Sequence, residues 1–233
     1  MDSYLFNSDC FIIMNYLIQK NIKVDAIIAD PPYNISYTDW DKNFNIEKAV
    51  ALCKKLLKPN GNILLFQGWS NVCQTKQIMD KYFNIQNWII YDRIKGRGSK
   101  NNLVSTREDI LWYSNGKKSE TYNKIYSNIP KKTKGMGEKN GQENRALTNI
   151  WYDISPIVPW SKERNGHPTQ KPLELMKRIV TIFTNENDLI LDFTMGSGTT
   201  GEAAIMLNRN FIGIEKEKEW FNIAKQRIDN IKI

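Results

Sequence analysis

Val24-Asp25-Ala26-Ile27-Ile28-Ala29-Asp30-Pro31-Pro32-Tyr33 is the stretch on which the fold turns. Val24 to Ala29 is a short apolar run of strand length, and it stops at a carboxylate and two prolines. Such a run, bounded by breakers, predicts a buried strand. Two consecutive prolines fix φ near −65° and remove two backbone donors, so exposed carbonyls stand on a stiff turn beside Asp30. That corner can accept both hydrogens of an exocyclic amine, one on Asp30 and one on the Pro31 carbonyl. Tyr33 then offers a flat face, and stacking of a base on an aromatic side chain is worth about 1–3 kcal/mol.

Outward from this strand the chain alternates. Tyr4 to Asn7, Ile63 to Phe66, Trp88 to Tyr91, Ile110 to Tyr113, Leu189 to Leu191 and Phe211 to Ile214 read as strands. Phe11 to Lys20, Ile46 to Leu57, Val72 to Tyr82, Leu173 to Phe183, Thr199 to Leu207 and Lys218 to Ile228 read as helices. Alternation of this kind predicts a doubly wound α/β chain with a mostly parallel sheet. Pro59, Asn60 and Gly61 punctuate the end of the second helix. The pattern breaks from Asn115 to Gly166, which is rich in Lys, Asn, Gly and Ser, with Tyr122, Tyr126, Trp151, Tyr152 and Trp160 scattered through it. Lys131 to Gly141, with three glycines, reads as a mobile loop, and a connection this long is usually functional or disordered.

A second strand end carries Asp192-Phe193-Thr194-Met195-Gly196-Ser197-Gly198-Thr199-Thr200. Gly196 and Gly198 allow close backbone approach to a ligand, and Thr199 and Thr200 can open a helix. About 20 residues on, Glu215 closes the next strand, where a carboxylate commonly accepts two ribose hydroxyls. The third glycine of the dinucleotide fingerprint is missing, and so is the Gly-Lys-Ser/Thr of a P-loop. A nucleoside cofactor without a pyrophosphate remains. The structural alternative is a tight strand-to-helix turn with a surface Glu.

The 233 residues suit one sizeable α/β domain with an insertion. No apolar run approaches the roughly 20 residues of a bilayer span, and Met1 to Asp9 lacks the basic and apolar regions of a signal peptide. Cys10, Cys53 and Cys73 are sparse and odd in number, which argues against disulfides or zinc and fits free thiols in a reducing cytoplasm. His167 is the only histidine, which weakens histidine-based catalysis or metal binding. Net charge is +8, and it is concentrated: Arg93 to Arg178 holds 18 Lys and Arg against 8 Asp and Glu. A basic third of the chain fits a polyanion, or else a solvated lysine-rich surface.

Asp30-Pro31-Pro32-Tyr33 followed by Thr194-Met195-Gly196-Ser197-Gly198 resembles the amino-methylating DNA methyltransferases, which use S-adenosylmethionine. The order target-amine motif, basic insertion, cofactor loop is similar to their beta class. His167-Pro168-Thr169-Gln170-Lys171-Pro172 and Phe211-Ile212-Gly213-Ile214-Glu215 look like two further family segments. One departure is visible: Phe193-Thr194 stands where the family commonly has Pro-Phe, so Thr194 supplies no aromatic wall.

The resemblance implies a seven-stranded methyltransferase sheet formed by residues 1–114 and 167–233, with 115–166 as a target-recognition insertion. It implies that Asp30, Pro31, Pro32 and Tyr33 hold the amine of a flipped base, N6 of adenine for this motif. N4 of cytosine and RNA are the alternatives. Glu215 would hold the ribose. Asp192, Phe193, Thr194, Met195, Gly196, Ser197, Gly198 and Thr199 would form the cofactor loop. Thr169, Gln170 and Lys171 would meet the cofactor's carboxylate end. Asp9 and Cys10 would lie near its adenine, and Asp9 is equally a helix cap. No metal is implied. Lys131, Lys132, Lys134, Lys139 and Arg145 are expected to touch phosphates of double-stranded DNA. Arg107, with Glu108 and Asp109 beside it, reads as a structural ion pair. A cognate restriction endonuclease and pairing into a homodimer are further expectations of the family that no residue here carries.

Overall fold

The computed structural model describes residues 1–34, 43–130 and 144–231, apart from the side chains of 95–99 and 128–130. Strand β1 (Ser3–Asn7) leads to helix α1 (Cys10–Gln19), and β2 (Val24–Ala29) to α2 (Ile46–Leu56). Strand β3 (Leu57–Gln67) precedes α3 (Val72–Met79), then the long pair β4 (Asn84–Ser99) and β5 (Asn102–Ser114). The segment 115–166, where the alternating pattern breaks, holds β6 (Tyr126–Pro130), β7 (Asn144–Ala146) and β8 (Ile150–Trp151). The chain closes with α4 (Leu173–Phe183), β9 (Leu189–Asp192), α5 (Thr199–Met206), β10 (Asn210–Glu215) and α6 (Lys218–Asp229).

One sheet runs in the order β1-β10-β9-β2-β3-β5-β4-β8, and β6 pairs with β7 in a separate ribbon. Seven of its strands are those expected, and the two-residue β8 adds an eighth at the edge. Only β5 runs against the rest, because it pairs antiparallel with both β3 and β4. Alternate residues of each strand feed opposite faces, as pleating requires. Ile27 and Ala29 of β2, with Ile63 and Leu65 of β3, pack under α1, α2 and α3. Ile28, Leu64 and Phe66 pack instead under α4, α5 and α6, together with Trp151 and Ile154. The sheet is therefore covered on both faces, which explains its continuous apolar strands.

The turn at 59–61 differs from its expected role. Helix α2 stops at Leu56, and Leu57 already pairs with Val24. Pro59 to Gly61 form an irregularity within β3, after which register resumes at Ala26 and Asn62. Asn60 sits there at φ 60°. The site is positioned by topology. Strand β9 leads through α5 to β10 on one side, and its neighbour β2 leads through α2 to β3 on the other. The connection order reverses between β2 and β9, and their carboxyl ends share one rim. Open α/β sheets bind ligands at such a switch point.

Candidate active site

Asp30 follows β2 and Asp192 ends β9, so the two sequence motifs meet where these strands lie side by side. A cavity of about 280 Å³ opens over β9 and β10. It is lined by every residue expected near the cofactor except Gly198: Asp9, Cys10, Asp30, Thr169, Gln170, Lys171, Asp192 to Ser197, Thr199 and Glu215. A second cavity of about 470 Å³ lies on the β3–β5 side, lined by Asp30, Pro31, Pro32 and Tyr33 with Trp69, Tyr91, Arg93 and Glu108. Asp30, Pro32, Thr169, Gln170 and Lys171 line both cavities and so form the wall between them.

Local chemistry shapes the first cavity. Gly196 has φ +52°, and a Cβ there would lie 3.1 Å from Nε2 of His167. Gly198 has φ +81° and would meet the Cβ of Ala224 at 2.8 Å. Both positions therefore require glycine, the second for packing against α6 rather than for contact with a ligand. Glu215 accepts the Gly196 amide at 3.0 Å and the Glu217 amide at 2.8 Å. Burial raises the Glu215 carboxyl, and these two amide bonds oppose it. Asp192 accepts from the Thr200 hydroxyl at 2.6 Å and the Thr194 amide at 3.1 Å. Its burial still pushes the carboxyl up to about 7. Asp9 caps α1 by accepting the Phe11 amide at 2.8 Å, as expected of a helix cap, and it also lines the cavity. Burial, with the charge of Asp9 next, pushes the Cys10 thiol up to about 12 and keeps it neutral.

The aromatic wall that Thr194 does not supply comes from elsewhere. Phe44 stacks on Phe11 at 5.5 Å and on Phe193 at 6.5 Å, and all three line the cavity. His167 meets Trp220 edge-on at 4.7 Å, and its Nδ1 accepts the Thr169 amide at 3.3 Å. Burial lowers this imidazole to about 4, so the ring is neutral near pH 7. Gln170 lines the cavity with both ends of its amide engaged: its nitrogen donates to the Glu163 carbonyl at 2.7 Å, and its oxygen accepts the Asn165 amide at 3.0 Å.

The second cavity is built around Asp30. The Tyr33 hydroxyl donates to Oδ1 at 2.5 Å, and Nζ of Lys171 lies 2.5 Å from Oδ2. Burial, with Asp30 and Glu108 next, holds the Tyr33 hydroxyl well above its ordinary range, so it remains a donor. Arg107 pairs with Asp109 at 3.1 Å, as its neighbours in sequence suggest. Glu108 points to the other face of β5 and reaches Lys171 at 3.4 Å and Arg93 at 3.6 Å. Sequence reading missed Glu108 at this site, although strand alternation separates it from both neighbours. Trp69, 60% exposed at the cavity, was also missed. Arg145 is exposed on β7, whereas Lys131, Lys132, Lys134, Lys139 and the expected loop at 131–141 lie outside the described residues.

A mostly parallel sheet with a glycine-loop cavity and an Asp-Pro-Pro-Tyr cavity at its switch point is the architecture of a nucleoside-cofactor transferase. The chain belongs to the N6/N4 DNA methylase family, whose model matches residues 24–226. It is an AdoMet-dependent DNA methyltransferase by that membership. It is 32% identical over 243 residues to the Type II methyltransferase M.HpaI of Haemophilus parainfluenzae, covering 99% of this chain and 75% of that one. It is 31% identical to the Type II methyltransferase M2.MboI of Moraxella bovis, covering 97% and 88%. A crystal structure of the M1.HpyAVI–SAM complex superposes with a TM-score of 0.74 at 36% identity, over 97% of this chain and 99% of that one. Among the described residues no helix is long and apolar enough to cross a membrane.

Proposed function

We propose that this chain transfers the methyl group of S-adenosylmethionine to N6 of an adenine flipped out of duplex DNA, as the modifying partner of a restriction endonuclease. The observation that carries this reading is the wall shared by two cavities, with Asp30 on both sides of it. The first cavity suits the cofactor. Among the described residues the buried Thr194 hydroxyl has no hydrogen-bond partner, and it lines this cavity, a polar atom placed for a ligand. Glu215 offers lone pairs beyond those used by the two amides. When bound, the cofactor supplies an electrophilic methyl carbon on a sulfonium leaving group.

Flipping the base costs a few kcal/mol. Asp30 and the Pro31 carbonyl hold the two amino hydrogens, which turns the nitrogen lone pair toward the cofactor cavity. The nitrogen would gain the methyl carbon as the carbon–sulfur bond breaks, the sulfur leaving as a neutral thioether, and would then release one proton to water. The carboxylate of Asp30 stabilises the positive charge in between, and fixed orientation supplies most of the rate. In this reading residues 1–114 and 167–233 catalyse, and 115–166 reads the target sequence, with exposed Arg145 and the lysines at 131, 132, 134 and 139 meeting phosphates.

Asp30→Ala is expected to lose labelled-methyl transfer while binding of S-adenosylmethionine persists. Transfer at the wild-type rate would remove Asp30 from the mechanism. Digestion of the modified DNA to nucleosides, followed by mass separation, identifies the base. N6-methyl-2′-deoxyadenosine supports the reading, and N4-methyl-2′-deoxycytidine would replace its substrate.

A further inference from the structure

Lys171 lies in a segment whose motif implies contact with the cofactor's carboxylate, yet its ammonium is spent elsewhere. Its Nζ is 2.5 Å from Oδ2 of Asp30, 3.4 Å from Oε2 of Glu108 and 5.2 Å from the centre of the Phe66 ring. One ammonium proton is donated to Asp30, while Glu108 lies within ion-pair range and the Phe66 ring offers its face. The Lys171 side chain is only 10% exposed and that of Glu108 only 14%. Two carboxylates this close in a buried wall disfavour each other's charge unless a cation lies between them. Arg93 flanks the far oxygen of Glu108 at 3.6 Å and donates to the carbonyls of Ser105 and Thr106, which fixes that end. The backbone is anchored as well: Pro172 caps α4, whose Leu175, Met176 and Ile179 are buried.

We propose that Lys171 is a positioning residue of the target cavity: it clamps Asp30 and Glu108 together as a charged pair so that the Asp30 carboxylate faces the incoming amine. This rests on the methyl-transfer reading above. Lys171 holds its proton, because the two carboxylates outweigh the cost of burying its charge, so it acts as a fixed cation and not as a base. The other groups whose charges bear on Asp30 are Tyr33 from its own turn, His167, Glu108 and Arg93 across the cavity, and Asp192 at the end of β9. None of them replaces the ammonium. His167 is neutral and Arg93 is engaged on the far side of Glu108.

Without the ammonium, the two carboxylates face each other with no cation between them, and a proton taken up by Asp30 would remove the charge that grips the amine. The test measures single-turnover methyl transfer at saturating cofactor and DNA across pH, and cofactor affinity by calorimetry. Lys171→Gln is expected to leave cofactor affinity unchanged and to move the acid limb of the rate profile up by about 1–3 pH units. Lys171→Arg restores most of that limb, and Glu108→Gln moves it the other way. A limb that stays in place overturns the proposal, and a loss of cofactor affinity beside an unmoved limb assigns Lys171 to the cofactor instead. If Lys171→Gln does not fold, Glu108→Gln decides: a limb moved to lower pH supports the clamp, and an unmoved one overturns it. A wild-type chain that transfers no methyl group to DNA would sink the underlying reading, whereas normal wild-type transfer with unshifted variants sinks the clamp alone.

Discussion

Among the described residues each oxygen of Asp30 has one partner, Tyr33 on one and Lys171 on the other, which leaves each a lone pair for a ligand. The single histidine is used quite differently. His167 packs its ring under the glycine loop and against Trp220, and burial lowers its pKa from 6.5 to about 4. The unfolded chain therefore binds more protons than the folded one between those values. The stability due to the neutral ring is full above about pH 6.5 and drains as pH falls toward 4, by at most about 3 kcal/mol. His167→Phe should cost stability near pH 7, and the deficit should shrink as pH falls through this window. Urea unfolding at several pH values checks it, and a deficit independent of pH would contradict the assignment. Asp30, Gly196 and Glu215 were legible in the sequence because each sits in a short motif at a strand end. Glu108, Phe44 and Trp220 were not, because they reach the site from elements whose approach is set only by the tertiary fold.

Helix and strand assignments found the right elements where periodicity ran for several residues, as in α4, where the expected and observed bounds coincide, but β4 and β5 extend to 16 and 13 residues, well past the 88–91 and 110–113 expected. They failed at β8, since a two-residue strand has no period to read. Its Trp151 looked like one scattered aromatic in a polar segment, yet it is 2% exposed. Its indole donates to the Thr148 carbonyl at 2.7 Å, and the Arg178 guanidinium lies 5.4 Å over its ring. Parallel pairing with Tyr91 docks the end of the insertion onto the sheet edge. Trp151→Ala is expected to lower unfolding free energy by about 3–5 kcal/mol. Chemical denaturation measures this, and a loss under about 1 kcal/mol would show that the segment does not belong to the core.

At the scale of the whole molecule, the alternating pattern foretold a sheet covered on both faces. It could not foretell which strands are neighbours, since β2 and β9 are far apart in sequence and adjacent in space. That adjacency gives the two cavities a common partition made of Asp30, Pro32 and Thr169 to Lys171. A partition of this kind is expected to link the two ligands thermodynamically. Filling one chamber is expected to stiffen or shift the side chains that the other chamber reads, so that each affinity depends on the other's occupancy. Linkage requires reciprocity: whatever factor the methyl donor applies to DNA affinity, DNA applies to the donor. Titrating each ligand with the other absent and then saturating should return one coupling factor, different from unity, from both directions. A factor of one would mean that the partition is rigid and that the two chambers fill without sensing each other.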